Sequence, residues 1–136
     1  GKFDQSLSGP AMPVKKFVLY DQRTDAKCEH LLITLKKKKK AAAYKVRCPN
    51  MLDRIYRSTE PTYNKATKVH TYPHMTLENT KESIKNFVLQ LEGTDEPSEP
   101  VVEMGKRLDD EWDLRVRAPF SVYQAFGMAV AACYGT

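Results

Sequence analysis

The sequence predicts a mainly β (α+β) fold, in which a β-barrel or partial barrel wraps around a central, buried C-terminal helix. Short apolar segments separated by turn-forming residues recur between residues 15 and 117, and they predict about eight strands. Residues 119–136 contain no charged residue and are rich in Ala, which favours helix. A helix that is apolar on nearly all sides must be buried on nearly all sides, so we expect the curved sheet to enclose it.

Length and composition indicate one ordinary globular unit. The 136 residues, 41% of them hydrophobic and 29% charged, suffice for a single domain with one core, which we place at residues 15–136. Residues 1–14 contain two prolines and predict an extended lead-in. No apolar run reaches the ~18 residues that a membrane-spanning helix needs. Cys28, Cys48 and Cys133 are too few and too widely spaced for a disulfide framework, which indicates a reducing compartment.

The strands are predicted from alternation and from the residues that interrupt it. Val, Ile, Tyr and Phe favour a pleated, half-buried surface, and Pro, Asn, Asp and Gly end it. The clearest case is the last strand, where Trp112, Leu114 and Val116 alternate with charged residues. Residues 61–65 are predicted as a turn. The predicted strands are residues 16–20, 31–35, 44–47, 53–58, 68–72, 83–92, 101–104 and 111–117.

The C-terminal helix is predicted over residues 119–135, with Gly135 as its C-terminal cap. Its many small residues keep it thin enough to fit inside a curved sheet. Gln124 is polar in an otherwise apolar helix, and we expect its side chain to hydrogen-bond backbone inside the barrel. The large aromatic side chains in and near the helix are predicted core residues, and they are Trp112, Phe120 and Phe126.

Charge is distributed unevenly along the chain. Residues 1–58 contain 14 Lys and Arg against five Asp and Glu, a net charge of +9, whereas residues 59–136 contain eight against 12, a net charge of −4. The densest basic segment is residues 36–40, five lysines at the tip of the hairpin between the second and third predicted strands. A basic tip can bind the phosphates of nucleic acid, of a membrane surface or of inositol headgroups, and it can equally be a solvated turn.

No catalytic or metal-binding constellation is recognisable. Cys28 with His30 and His70 with His74 are the close pairs of metal-ligand residues, and neither has a second pair at zinc-site spacing. The six glycines form no phosphate-binding loop, and no nucleophile elbow is present. The sequence therefore predicts a non-enzymatic protein with no cofactor and no metal.

Three segments of the second half carry recognisable motifs. Residues 83–87 read Ser-Ile-Lys-Asn-Phe, residues 104–107 read Met-Gly-Lys-Arg, and residues 118–126 read Ala-Pro-Phe-Ser-Val-Tyr-Gln-Ala-Phe. They resemble the S-V-K-N-F strand, the F-G-R turn and the Y-P-L-x-x-L-Q-A-F entry to the terminal helix of the tubby C-terminal domain family. Their order and near-family spacing identify the chain as a tubby-like protein.

The first half of the chain extends this resemblance. Residues 61–64, Pro-Thr-Tyr-Asn, resemble the family's P-V-W-N segment, and residues 17–44 resemble its opening hairpin, whose tip is basic in the family too. The resemblance implies a tubby-like barrel around the helix and a phosphoinositide-binding module, often a ciliary trafficking adaptor. It also implies a cytoplasmic location, in a cilium or flagellum or at the inner face of the plasma membrane.

The headgroup site that the resemblance implies is only partly present. In the family, a Lys-x-Arg pair after the opening hairpin holds the phosphates, since both cations match phosphate oxygens. Arg57 takes the place of the arginine, while Ile55 takes that of the lysine and Arg54 lies one residue upstream. A further family asparagine falls on Ala43. The predicted phosphoinositide-binding residues are Arg54, Arg57, Lys36, Lys37, Lys38, Lys39 and Lys40.

Compared with the domain that the resemblance implies, this chain is shorter, and a large middle part with several strands is missing between about residues 58 and 61. Either the protein is a shortened relative or the middle part is absent from this chain. About eight strands form an open or partial barrel, whose exposed edges need a protein partner to cover them. The alternative function is therefore a structural or interaction subunit of a larger ciliary or axonemal assembly that has lost lipid binding. A third reading, nucleic-acid binding through the basic hairpin, is disfavoured by the separate acidic half.

Overall fold

The structure, a computed structural model, describes residues 14–21, 28–39, 41–49, 54–93 and 99–136. Of the predicted lead-in, only Val14 lies among them, and it begins the first strand. Within these residues the chain forms nine strands and one helix. They are β1 (Val14–Asp21), β2 (Cys28–Lys37), β3 (Ala42–Cys48), β4 (Arg54–Ser58), β5 (Thr62–Asn64), β6 (Val69–Thr71), β7 (Phe87–Leu91), β8 (Val102–Leu108), β9 (Glu111–Val116) and α1 (Val122–Gly135).

Seven of the strands form one antiparallel sheet in the order β1-β2-β3-β4-β7-β8-β9. Helix α1 contacts β1, β2 and β9, so strands from both ends of this order reach the same helix. A sheet can do this only when it curls. The prediction of a mainly β fold with a partial barrel around the C-terminal helix is confirmed.

Strands β5 and β6 form a separate two-stranded sheet. The prediction of a turn over residues 61–65 is wrong, because Thr62–Asn64 pairs with Val69–Thr71. The turn lies at residues 65–68, between β5 and β6, where the Asn64 side chain accepts a hydrogen bond from the backbone N–H of Ala66. Since β5 and β6 leave the main sheet, β4 pairs directly with β7.

The core lies between the inner face of the sheet and α1. Alternation along β3 turns Tyr44, Val46 and Cys48 inward, and the neighbouring strands β2 and β7 add apolar side chains beside them. Each large side chain that is fully buried here stabilises the fold by about 1.5–3 kcal/mol. The largest apolar ones are Tyr56, Phe87, Leu31, Leu35, Leu89, Met104 and Met128.

Helix α1 begins after an N-terminal capping box. Ser121 Oγ accepts a hydrogen bond from the Gln124 N–H, and Gln124 Oε1 accepts one from the Ser121 N–H at 2.8 Å. The expectation that Gln124 hydrogen-bonds backbone is therefore confirmed. Small residues let the helix approach the sheet closely, since a Cβ at Gly127 would lie 2.9 Å from Leu19 Cδ2. At the other end, Gly135 is the last helical residue and Thr136 is the cap.

Burial of the helix on nearly all sides is not observed. The half-barrel covers one side of α1 and leaves the other open. Phe126 is 61% exposed, so its prediction as a core residue is wrong, whereas Phe120 is buried and Trp112 packs against the core. The large apolar side chains that α1 exposes, which we call the open helix face, are Val122, Tyr123, Phe126, Val130 and Tyr134.

The segment between β6 and β7 covers the outer face of β8. Gly105 lies so close to it that a Cβ would be 2.8 Å from Thr80 Oγ1. Glu103 is fully buried beneath the same segment, where its Oε2 accepts hydrogen bonds from Thr76 Oγ1 at 2.6 Å and Arg117 Nη1 at 3.0 Å. These partners compensate a carboxylate that would otherwise be strongly destabilising in the protein interior.

The Lys-Asn-Phe motif has a structural role. Asn86 is buried, and its Oδ1 accepts a hydrogen bond from the Lys106 N–H at 2.8 Å. Its Nδ2 donates to the Lys81 carbonyl at 2.7 Å, which ties the covering segment to β8. Phe87 follows and is fully buried in the core. The motif therefore joins the two faces of the sheet.

Candidate anion-binding face

The outer face of β1 to β4 carries a row of cations. The alternation that buries Tyr44 directs Lys45 outward, and the strand register then fixes its neighbours. Lys45 lies opposite Thr34 on one side and Arg57 on the other, and Thr34 lies opposite Lys16. The row Lys16-Thr34-Lys45-Arg57 therefore crosses four adjacent strands, a width of about 14 Å.

The next row along the same face adds a further cation. Arg47 lies opposite Leu32 and Ile55, and Leu32 lies opposite Val18. Arg47, Lys45 and Lys16 line a depression of about 310 Å³ on β1 to β3. Guanidinium and ammonium groups at this spacing attract phosphates in a planar anionic surface.

A second depression of about 540 Å³ lies where the β2–β3 hairpin tip meets the end of β4. Lys38 and Lys39 line it from the tip, Arg57 lines it from β4, and His70 lines it from β6. The tip is closed by a hydrogen bond of 2.8 Å from the Lys38 N–H to the Ala41 carbonyl. Arg57 thus belongs both to the cationic row and to this depression, which we call the tip depression.

Two acidic residues pair with these cations at the surface. Arg57 Nε lies 3.0 Å from Glu92 Oε2, and Lys38 Nζ lies 3.0 Å from Glu60 Oε1. All four side chains are well exposed, and exposed pairs of this kind are worth only about 0–1 kcal/mol. An incoming phosphate can therefore replace either carboxylate at small cost. Lys45 has no acidic partner within the described part of the chain.

The structure brings together some of the predicted site residues. Arg57, Lys38 and Lys39 line the tip depression, and Lys36 lies beside it, opposite Ala43. Lys37 turns the other way, with its Nζ 3.4 Å from the Thr136 carbonyl at the end of the helix. Lys40 lies outside the described residues.

Arg54 and Arg57 are not neighbours. They lie three positions apart on one strand, so they point to opposite faces of β4. Arg54 lies on the same face of β4 as the buried Tyr56, at the start of the strand, whereas Arg57 lies on the cationic outer face. The structure therefore separates these two predicted ligands.

The two positions at which the chain departs from the family pattern lie near Arg57. Ile55 shares its outer face, two residues away on the same strand. Ala43 lines the tip depression together with Arg57. Apolar side chains thus stand where the resemblance implies a lysine and an asparagine, on the face that carries the cations.

Lys45 and Arg47 were not among the predicted phosphoinositide-binding residues. Their signal was present in the alternation of residues 44–47, which points both of them away from the core. Their position beside Arg57 depends on the pairing of β3 with β4, which the sequence does not specify.

Within the described residues, no group of three or more His, Cys, Asp and Glu side chains is arranged to hold a metal ion. In the same part of the chain, no helix combines the length and apolar character needed to cross a membrane.

The curled sheet and its C-terminal helix place this chain among the β domains that are built around a terminal helix. The model of the Tub family matches residues 15–133, and the chain belongs to the Tub family. This is a family of non-enzymatic domains, known for binding lipid. No curated protein and no solved structure matches the chain significantly.

Proposed function

We propose that this chain is a phosphoinositide-binding adaptor module that attaches to anionic membrane through the outer face of β1 to β4. The observation that carries the proposal is the position of Arg57, where the cationic row meets the tip depression. A row of cations provides attraction to any anionic surface, and a concave site provides a place for one phosphorylated headgroup. Arg57 contributes to both.

The expected strength follows from the number of cations. Each Lys or Arg near an anionic surface is worth about 1 kcal/mol, so Lys16, Lys45, Arg47 and Arg57 together supply about 4 kcal/mol. This corresponds to weak attachment, since about 4 kcal/mol equals a dissociation constant near 1 mM. A bidentate contact between a guanidinium and a headgroup phosphate adds affinity and specificity.

The proposed place of action is the cytoplasmic side of a membrane, in a cilium or flagellum or at the plasma membrane, where the module carries or releases membrane cargo. This part of the proposal follows from the resemblance to tubby-like proteins.

A second candidate function is a structural or interaction subunit of a larger assembly, as in an axoneme. The specific observation in its favour is that β1 and β9 each have one neighbour in the described sheet, which leaves an edge at both ends. A protein partner that adds a strand to either edge would satisfy the free backbone groups.

Liposome co-sedimentation tests the first proposal against the second. We would compare vesicles that contain phosphatidylinositol 4,5-bisphosphate with charge-matched phosphatidylserine vesicles. Arg57→Ala is the test variant, and Arg54→Ala is its matched control because it removes the same charge from the opposite face of β4. We expect preferential binding to the phosphoinositide, reduced about tenfold by Arg57→Ala and little changed by Arg54→Ala.

Equal binding to both vesicles would mean that charge alone attaches the chain and that no headgroup site exists. Absence of binding to either vesicle would overturn the proposal and favour the structural subunit. An equal loss for the two arginine variants would contradict the assignment of the outer face.

A further inference from the structure

The open helix face lies beside an apolar groove at the β1 edge of the sheet. Phe17 and Leu19 of β1 and Phe126, Gly127 and Val130 of α1 line this groove of about 250 Å³. Its lining is almost wholly apolar, and α1 itself carries no charged residue. An exposed apolar surface of this kind marks a site of interaction with a protein or a membrane.

The geometry of the open helix face suits a flat, apolar boundary. Val122, Phe126, Val130 and Tyr134 recur every fourth residue, which places them along one side of the helix over about 18 Å. Tyr123 lies next to this line, and its hydroxyl donates a hydrogen bond of 2.6 Å to the Tyr20 carbonyl of β1. Phe and Tyr with exposed rings are typical of surfaces that enter the headgroup region of a bilayer.

The apolar groove is continuous with the cationic outer face. Phe17, Val18 and Ile33 line both the groove and the depression that contains Lys16, Lys45 and Arg47. Val18 is itself 41% exposed and lies on the outer face of the edge strand. A plane placed against the edge of β1 therefore meets cations on one side of the strand and the open helix face on the other.

The charges around the groove favour an anionic partner. Lys15 and Lys16 lie on the edge strand, and Lys37 reaches the end of α1 through its contact with the Thr136 carbonyl. Two copies that met symmetrically along this edge would bring the lysines together, which opposes association. An anionic membrane offers opposite charge to the lysines and an apolar layer to the aromatic rings.

We infer that the open helix face inserts into the interfacial region of an anionic membrane while the lysines of the β1 edge, Lys15 and Lys16, hold the headgroups. This inference rests on the proposed attachment to anionic membrane, which it extends from the outer face of the sheet to the β1 edge. The helix lies in the plane of the membrane, with its open face buried about 5–10 Å into the boundary between headgroups and acyl chains. The partner is thus a lipid surface with negative headgroups.

Site-specific fluorescence quenching tests insertion directly. The background variant Trp112→Phe removes the single tryptophan, and Phe126→Trp then places one probe on the open helix face. Tyr63→Trp in the same background is the matched control, because Tyr63 is an aromatic residue of similar exposure on the separate β5–β6 sheet. The vesicles contain phosphatidylinositol 4,5-bisphosphate and phosphatidylcholine brominated near the carbonyl end of the acyl chains.

We expect strong quenching of the probe at position 126 and none at position 63. Vesicle binding without quenching at position 126 would overturn the inference and leave the proposed function intact. Absence of vesicle binding would overturn both. Equal quenching at the two positions would also contradict insertion through α1.

A second test measures how much the open helix face contributes to the affinity for vesicles. Phe126→Gln with Val130→Gln removes apolar surface without a change of charge, and Tyr63→Gln is the control. We expect the double variant to bind about tenfold more weakly, since two exposed side chains no longer leave water, and to melt at an unchanged temperature. Unchanged binding would overturn the inference. A dimer in the wild type that the double variant makes monomeric would show that a second copy covers the face.

Discussion

Lys45 and Arg57 lie directly opposite each other in the register of β3 and β4. Like charges at directly opposite positions of an antiparallel pair are destabilising. The ion pair of Arg57 with Glu92 offsets part of this repulsion, and Lys45 has no acidic partner among the described residues. An anion bound on the outer face would relieve the remaining repulsion between Lys45 and Arg57. This pair therefore links the stability of the sheet to its proposed ligand.

Lys45→Thr should therefore increase stability and weaken membrane binding. Loss of the repulsion should raise the free energy of unfolding by about 0.2–0.5 kcal/mol, and Thr suits an exposed strand position. Loss of one cation should weaken vesicle binding about fivefold. Urea denaturation and co-sedimentation measure the two effects. Lys65→Thr, in the exposed β5–β6 turn, is the control and should change neither; a destabilised Lys45→Thr would contradict the role of the pair.

Ile55→Lys combined with Ala43→Asn should strengthen phosphoinositide binding. The two changes restore a cation beside Arg57 and a hydrogen-bond donor in the tip depression. We expect about tenfold tighter binding to phosphatidylinositol 4,5-bisphosphate than in the wild type, with a smaller gain for charge-matched phosphatidylserine. Thr71→Lys is the control, because it adds the same charge on β6 and so measures the effect of net charge alone. An equal gain for both lipids would indicate charge alone.

Arg117→Met should destabilise the fold severely. The variant removes the cation that lies 3.0 Å from the fully buried Glu103 carboxylate, and an unpaired buried charge costs about 3–5 kcal/mol. Arg115→Met is the control, because Arg115 lies opposite Glu103 in the register and hydrogen-bonds Thr76 at the surface, whereas the ion pair of Glu103 is made with Arg117. Its effect on the free energy of unfolding, measured by urea denaturation, should be under about 1 kcal/mol. Similar losses for the two variants would contradict the role assigned to the buried pair.

Gln124→Leu should affect stability more than membrane binding. The variant removes the side-chain half of the capping box at the start of α1, which is worth about 1 kcal/mol. Gln124 is buried and lies away from the cationic outer face, so vesicle binding should not change. Thermal unfolding and co-sedimentation provide the measurements. Normal unfolding together with lost binding would show that this prediction is wrong.

Stability should fall at alkaline pH because of two tyrosines, the half-buried Tyr72 and the buried Tyr44. Burial raises the pKa of Tyr72 from 10.0 to about 12, and its hydroxyl donates a hydrogen bond to the Asn86 carbonyl at 2.9 Å. Between pH 10 and 12 the unfolded chain loses this proton while the folded chain keeps it. The stabilisation is therefore complete below pH 10 and is lost as the pH rises towards 12.

Urea denaturation at a series of pH values measures how the free energy of unfolding falls between pH 10 and 12. Tyr72→Phe should make this fall less steep, while Tyr63→Phe, at an exposed position, should leave it unchanged. Burial also raises the pKa of Tyr44, so the double variant Tyr44→Phe/Tyr72→Phe should be flatter still. If the free energy of unfolding fell equally steeply with pH in the wild type and the double variant, Tyr44 and Tyr72 would not be the cause of the alkaline loss of stability.

Several elements could be predicted because their signals are local. Alternation over residues 111–117 predicted a strand, and β9 (Glu111–Val116) turns Trp112, Leu114 and Val116 towards the core as expected. Composition alone predicted a helix over residues 119–135, and α1 lies within that range. The hairpin with a lysine tip was predicted in the same way. Each of these features depends on residues that are close together in the chain.

The candidate site was predictable only in part. The lysine tip was identified from its charge and Arg57 through the resemblance, but Lys45 and Arg47 were not among the predicted phosphoinositide-binding residues. The separation of Arg54 from Arg57 follows from the period of two in a strand, so the sequence contained that signal. The meeting of Arg57 with Lys45 depends on register, which is set by contacts between different strands.

The sequence by itself determined the strands, the apolar helix and the surplus of positive charge in the first half, because these depend on local patterns. Tertiary structure decided how far the sheet closes, and with it the exposure of Phe126. The apolar pattern of a helix predicts that its side chains avoid water. It does not predict which surface, in the same chain or in a partner, covers those side chains. The half-barrel covers one side of α1, and the other side is left for a partner because the sheet does not close around it.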